Sequence, residues 1–174
     1  MTPSVSDIPV IATARLTLRA MDARDWPAYR DFLASPRAQY MGGPHAPDAA
    51  WGMFCSDTAQ WRFFGFGGLM IDADDRTVGQ VAIINPPEWP QEELGWFLYE
   101  GEEGKGYAVE AARALRDWYY SNHRNPVRLV SYVEPENRAS AKVAERLGAA
   151  LTAELPAVDK GDHVYLHPAP ERLQ

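Results

Sequence analysis

Hydrophobic and polar positions change period several times along the chain, and the changes outline strands alternating with helices. Arg15-Leu-Thr-Leu-Arg19 alternates polar and apolar, the pattern of a strand with one wet face. Asp22 and Asp25 each stand where they can cap a following helix, with Pro27 in its first turn and Trp26, Tyr29, Phe32 and Leu33 on one face. Pro36 stops that helix, and a loop containing Gly42, Gly43, Pro44 and Pro47 follows. A second helix is predicted over residues 48–64, where Trp51, Phe54, Thr58, Trp61 and Phe64 recur at helical spacing as an aromatic core stripe.

Residues 66–71 and 77–84 are apolar, β-rich runs joined by Asp72-Ala-Asp-Asp-Arg76, a hairpin signal. Pro86, Pro87 and Pro90 impose a loop, because proline cannot donate within a ladder. Residues 93–99 read as a third strand, followed directly by Gly101-Glu-Glu-Gly-Lys-Gly106. A helical pattern over residues 107–122 turns Ala108, Ala111, Leu115, Trp118 and Tyr119 inward. After Pro126 come a strand (127–133), a helix (137–147) closed by Gly148, and a last strand (163–166).

Composition narrows the class. With 174 residues, 46% hydrophobic and 24% charged, the chain reads as one globular domain over 1–174, its core at residues 14–168 between short termini. A domain of this size buries roughly 70% of its unfolded surface, so it needs neither a disulfide nor a metal staple. The single cysteine, Cys55, cannot pair within the chain, which fits a reducing compartment. A net charge of −7, from 17 basic and 24 acidic residues, weighs against non-specific nucleic-acid binding and slightly favours a small cationic substrate. No apolar run is long enough to span a bilayer, and residues 1–10 lack the basic start and apolar run of a secretory signal. A cytoplasmic protein without membrane partners is expected.

The chemistry concentrates where strand, glycine-rich turn and helix succeed one another, from Glu93 to Glu110. Glycines ahead of a helix let backbone N–H groups turn towards an anion, and the helix dipole adds positive charge at the same spot. A nucleoside-triphosphate loop fails, because Gly106 follows Lys105 and Tyr99 holds the first glycine position. A dinucleotide fingerprint fails at Val109, where the third glycine belongs. A coenzyme A pyrophosphate loop fits Gly104-Lys105-Gly106.

With that loop, the chain resembles the GNAT superfamily of acyltransferases, and within it the branch of ribosomal-protein N-terminal acetyltransferases (RimJ/RimL-like). Gly104, Lys105 and Gly106 match the second half of the family's Gln/Arg-x-x-Gly-x-Gly/Ala loop, with Gly101 at the Gln/Arg position. Downstream, Asn137-Arg-Ala-Ser140 and Glu145-Arg-Leu-Gly148 are similar to its Asn-x-x-Ser…Lys-Leu-Gly-Phe segment, with Ala149 at the aromatic. The opening 14–19 is similar to the branch's first strand. The resemblance implies an α+β fold: a mixed, mostly antiparallel sheet with flanking helices, and a splay between two central parallel strands carrying residues 96–98 and 127–133.

It further implies acetyl-CoA as acyl donor, with the pantetheine arm on the backbone of Trp96, Phe97 and Leu98. The pyrophosphate would lie on amides from Glu102, Glu103, Gly104, Lys105, Gly106 and Tyr107, with the Glu102 and Glu103 carboxylates turned to water. Asn137 would contact the pantetheine or the nearby helix turn. Lys105, Arg138, Lys142 and Arg146 are candidates for the adenosine phosphates. The implied activity is direct transfer of an acetyl group to a primary amine, either a protein or peptide N-terminus or a small amine. Glu93 or Glu92 would act as base, and the backbone N–H of Phe97 or Leu98 would polarise the carbonyl. Ala144 stands where many relatives place a tyrosine acid, and Ser140 resembles the serine that serves this branch instead. A non-catalytic acyl-CoA sensor and a longer acyl donor both remain open.

Other residues have structural readings. Asn137 is a helix N-cap, and Glu110 suits the dipole of a first helical turn. His163 and His167 share a strand face but lack a third ligand, so no metal site is expected. His45 sits in a loop placed to overhang the acceptor, and Cys55 has no basic neighbour to activate it.

Overall fold

A computed structural model describes residues 8–173. Residues 1–7 and 174 of the expected domain, with most of the stretch read as lacking a leader, lie outside the described residues. The strands are β1 (Ile11–Ala12), β2 (Thr17–Ala20), β3 (Gly68–Ala73), β4 (Arg76–Ile84), β5 (Glu93–Leu98), β6 (Val130–Val133), β7 (Ala150–Thr152) and β8 (His163–Leu166). The helices are α1 (Trp26–Leu33), α2 (Pro47–Phe64), α3 (Tyr107–Asn122) and α4 (Arg138–Arg146). All eight strands form one sheet in the order β1-β2-β3-β4-β5-β6-β8-β7, antiparallel except for β5 against β6. The mixed, mostly antiparallel α+β fold expected from the resemblance is present. No helix among the described residues is long and apolar enough to cross a membrane.

Local chemistry explains most boundaries. The β3–β4 hairpin turns on Asp74 and Asp75, at φ +47° and +61°, left-handed conformations that match the twist of the strands they join. Asp22 caps a 3-10 turn at Ala23–Asp25, and the Asp25 carboxylate returns to the Asp22 amide as a capping box. Asp25 therefore gives α1 no side-chain cap; it is buried and takes the Arg19 guanidinium at 2.8 Å. Gly65 and Gly148 end α2 and α4 in left-handed geometry.

The chain departs from its expected elements at several places. Beyond Pro36 the chain makes another 3-10 turn, Pro36–Met41, rather than only a loop. The expected strand 127–133 begins at Val130, because Val127 donates its amide to the Tyr119 hydroxyl instead of to a ladder. The aromatic stripe of α2 is only partly core: Phe54 and Trp61 are buried, whereas Trp51 and Phe64 are 48% and 41% exposed. Strands β1 and β7, two and three residues long, are too short to leave a period in the sequence.

Two apolar layers sandwich the sheet, and β5 divides its side chains between them. Leu94 joins Leu69, Val81 and Ile83 beneath Ala111, Leu115 and Tyr119 of α3. Phe97 joins Met70 beneath Tyr29, Phe32 and Leu33 of α1 and Phe54 of α2, with Phe32 stacked on it at 4.3 Å. The period-two alternation thus gives β5 an α3 face with Glu92 and Leu94, and an α1/α2 face with Glu93, Gly95 and Phe97.

Tyr119 ties the α3 face together. Its hydroxyl donates to the Glu92 carboxylate and accepts the Val127 amide at 2.9 Å. Tyr119→Phe leaves both partners unsatisfied in partly buried positions, so urea denaturation should show a loss of about 1–3 kcal/mol.

Candidate active site

The centre of the sheet opens as a wedge. Strands β5 and β6 share one register pair, Glu93 with Val130, where the Val130 amide donates to the Glu92 carbonyl at 3.1 Å. Beyond it β5 stays on β4 and β6 stays on β8. Tyr99 donates its amide to the Val78 carbonyl of β4, so by alternation Glu93, Gly95 and Phe97 direct their backbone groups at β4. Trp96 and Leu98 direct theirs into the wedge. Of the three residues expected to meet a pantetheine arm, Trp96 and Leu98 turn their backbone groups to the wedge, and Phe97 turns its own to β4. Arg37, from the 3-10 turn after α1, donates to the Leu98 carbonyl at 3.1 Å and forms an ion pair with Glu103.

At its wide end the wedge meets the glycine turn. Gly101, Gly104 and Gly106 have φ of +81°, +77° and +82°, values that side chains disfavour. A Cβ at Gly101 or Gly104 would meet nothing within 4 Å, so the turn's outer surface is open. No side chain caps α3, which leaves its first-turn amides without an internal partner. Within the turn the Gly101 amide already donates to the Glu103 carboxylate and the Glu102 amide, expected on the pyrophosphate, to the Tyr99 carbonyl, both at 3.1 Å, so the donors that suit the pyrophosphate of the expected acyl donor are the amides that follow Glu102. The Glu102 carboxylate does not turn to water as expected. It is buried, paired with Arg76 and with Lys105 at 2.8 Å, and these cations hold it below the usual carboxylate range. The Lys105 ammonium is correspondingly engaged. Glu110 is structural: Arg15 and Thr13 bind its carboxylate.

The two candidate bases lie on opposite faces. Glu92 is held by Tyr119 on the α3 side, where burial raises its pKa. Glu93 stands at the apex of the wedge on the α1/α2 side, and its Oε1 accepts the Tyr132 amide at 3.3 Å. Burial pushes this carboxyl up to about 8 against the pull of that amide, with small additions from Asp162 and Asp57. Beside it the floor is open: Gly95 faces Ala82 across the strands, and a Cβ at Gly95 would meet only the Glu93 carboxyl carbon, at 3.9 Å.

Asp57 was not singled out from the sequence. Burial raises its carboxyl to about 6, while Gln80 at 2.9 Å and Tyr29 at 3.2 Å hold it. Its signal was an acid at helical spacing between Phe54 and Trp61, inside the aromatic stripe.

Helix α4 flanks the wedge on the β6 side, where Ala141 and Trp96 pack on Val133, Ala144 and Tyr165. Asn137 is its N-cap, accepting the Ser140 amide at 3.1 Å, and Ser140 is half-buried in the first turn. Arg138, Lys142 and Arg146 are exposed along this helix. His45 bonds the Met41 carbonyl at 2.7 Å, within its own loop. His163 and His167 do not pair with each other: His163 lies opposite Val133, and His167 is fully buried behind Ser131.

The sequence of residues 15–150 matches the Acetyltransferase (GNAT) domain family. The chain belongs to the GNAT acetyltransferase family. Among solved structures it is similar to an acetyltransferase from Agrobacterium tumefaciens str. C58, at 52% identity and TM-score 0.89 over 92% of this chain and 95% of that one. The fold is also that of RimL, a ribosomal L7/L12 α-N-protein acetyltransferase solved with coenzyme A, at TM-score 0.71 and 22% identity over 93% and 97% of the two chains. Among curated proteins, YkkB of Bacillus subtilis (strain 168), itself uncharacterised, is 36% identical over 48% of this chain and 52% of its own length, so the match spans about half of that relative. In this GNAT protein the wedge meets the glycine turn at its wide end and α4 on its β6 side.

Proposed function

We propose that the protein is a cytoplasmic, acetyl-CoA-dependent N-acetyltransferase that moves the acetyl group to a primary amine by direct transfer in a ternary complex. The observation that carries this reading is the Glu93 carboxyl at the apex of the wedge, over the open floor at Gly95 and at the end of the backbone edge offered by Trp96 and Leu98. Acetyl-CoA supplies the activated acyl group. The amides of residues 103–106 and of the first turn of α3 hold its pyrophosphate, and Trp96 aligns its arm through main-chain hydrogen bonds. Asn137, Ser140 and Lys142 flank it from α4.

The Leu98 N–H polarises the thioester carbonyl. Glu93, as carboxylate, takes the proton that the acceptor amine must lose as its nitrogen bonds to carbon. The carbon–sulfur bond breaks, and Ser140 returns a proton to the sulfur. A carboxyl near pH 8 is well placed for this work, because a general base serves best when its pKa lies close to the working pH. Holding both reactants in line contributes the rest, roughly 7–11 kcal/mol for well-aligned groups. RimL acts on a protein N-terminus, as its description states. An N-terminal amine therefore heads the acceptors here, followed by small cationic amines suited to the net charge of −7.

Titration calorimetry with acetyl-CoA, with ATP and NAD as controls, tests the donor. Micromolar binding of acetyl-CoA alone is expected, and an amine and peptide library read by thiol release then identifies the acceptor. Absence of acetyl-CoA binding would remove the basis of the reading.

A further inference from the structure

The wedge is held open by side chains that take over two backbone positions. In a regular parallel ladder the Val130 bond to Glu92 would be followed, two residues on, by the Tyr132 amide donating to the Leu94 carbonyl. Neither group does so. The Leu94 carbonyl accepts the Ser131 hydroxyl, and the Tyr132 amide donates to Glu93 Oε1 at 3.3 Å. Ser131 is 2% exposed and His167 is fully buried, with Nε2 of His167 2.8 Å from the Ser131 oxygen and Nδ1 without a partner.

Ser131 has one proton and gives it to Leu94, so His167 must donate Nε2–H to Ser131 and carry a bare lone pair at Nδ1. The other tautomer would strand an N–H donor in the core and leave the Leu94 carbonyl without the hydroxyl. Burial keeps the ring neutral, with its pKa down at about 3.

We propose that Ser131, backed by His167, is a positioning residue: by occupying the Leu94 carbonyl it releases the Tyr132 amide to aim the Glu93 carboxylate, and it keeps β5 and β6 apart. This inference rests on the base assignment of the proposed function only for its kinetic consequence. Without the hydroxyl, the Tyr132 amide is the donor that a regular parallel ladder would bring to Leu94, and taking that bond would close the wedge by one step and strip Glu93 of its amide. The charged groups facing Glu93 are Asp57 from α2 and Asp162 from the β7–β8 loop, with the Tyr132 phenol from β6; these stay in place in the variants below.

The test is the pH titration of the Tyr132 amide by NMR. In the native protein this amide should report the ionisation of Glu93, and Glu93→Ala should abolish the response. Ser131→Ala should raise its midpoint by about one pH unit, tenfold in proton affinity, or erase its amplitude. Ser131→Thr, which keeps the hydroxyl, should restore it. His167→Phe, which fills the ring's volume without the donor, should shift the midpoint in the same direction by less, and it decides the matter if Ser131→Ala does not fold. The acidic limb of the kcat/KM profile should follow the amide. If the amide shifts and the kinetic limb does not, the positioning role stands and the base assignment fails. A native-like titration in Ser131→Ala, or an amide indifferent to Glu93→Ala, overturns the inference.

Discussion

Glu93→Gln is expected to lower kcat/KM for amine acetylation by about 10²–10⁴-fold while leaving acetyl-CoA affinity near native, because a neutral amide keeps the shape of the site and cannot accept the acceptor's proton. The same substitution should stabilise the fold. Below pH 4.5, the ordinary carboxyl value, native and unfolded chains are both protonated at this position and the two proteins should unfold alike. Between pH 4.5 and about 8 the unfolded chain ionises while the buried carboxyl resists, so native stability falls as the pH rises; above 8 the deficit is constant. Glutamine does not ionise, so Glu93→Gln should exceed the native protein by about 1–3 kcal/mol in urea at pH 8 and match it at pH 4. Full turnover on a validated acceptor would remove Glu93 as base. A loss of activity combined with a loss of stability at pH 8 would point instead to a structural role.

The second large effect is expected at the glycine turn. Gly104→Glu should weaken acetyl-CoA binding tenfold or more in calorimetry. Gly104 holds a φ of +77°, a conformation that costs a side chain about 1–2 kcal/mol, and the added carboxylate would face the anion that the turn amides are proposed to hold. Gly104→Ala separates the two causes: it carries the backbone strain without the charge and should weaken binding less. Since a Cβ there meets nothing within 4 Å, neither variant should clash with the protein itself. Native affinity in Gly104→Glu would show that the turn is not the donor site.

What could be read from the sequence was what depends on local period and local chemistry. Helix α3 runs over the expected residues because its apolar spacing is regular and a glycine precedes it, and the β3–β4 hairpin follows from two aspartates that tolerate left-handed backbone. The glycine turn was legible because glycine takes a positive φ at least cost, and three such angles fall within six residues. Facts that depend on pairing across the sheet were not. That Phe97 spends its backbone on β4 while Leu98 offers its own to the wedge is set by register, to which side-chain identity is indifferent. Glu92 and Glu93 are equivalent in sequence and lie on opposite faces once the strand is placed. Glu102 beside a phosphate loop suggested a carboxylate in water; Arg76, from a distant strand, pairs with it instead. Asp57 and Ser131 were passed over because a lone acid in an aromatic stripe and a lone serine in a strand gain meaning only from their neighbours in space.

The backbone edge of Trp96 and Leu98 has a consequence for how the protein can change. Recognition through main-chain amides and carbonyls is written in the course of the chain, and point substitutions do not erase it. The side chains at these two positions can drift with the packing of α3 and α4, and those on the α1/α2 face can be remodelled around a new amine, while the proposed purchase on the acyl donor is inherited unaltered. Acceptor preference can diversify quickly on such a scaffold, with the donor as its fixed point.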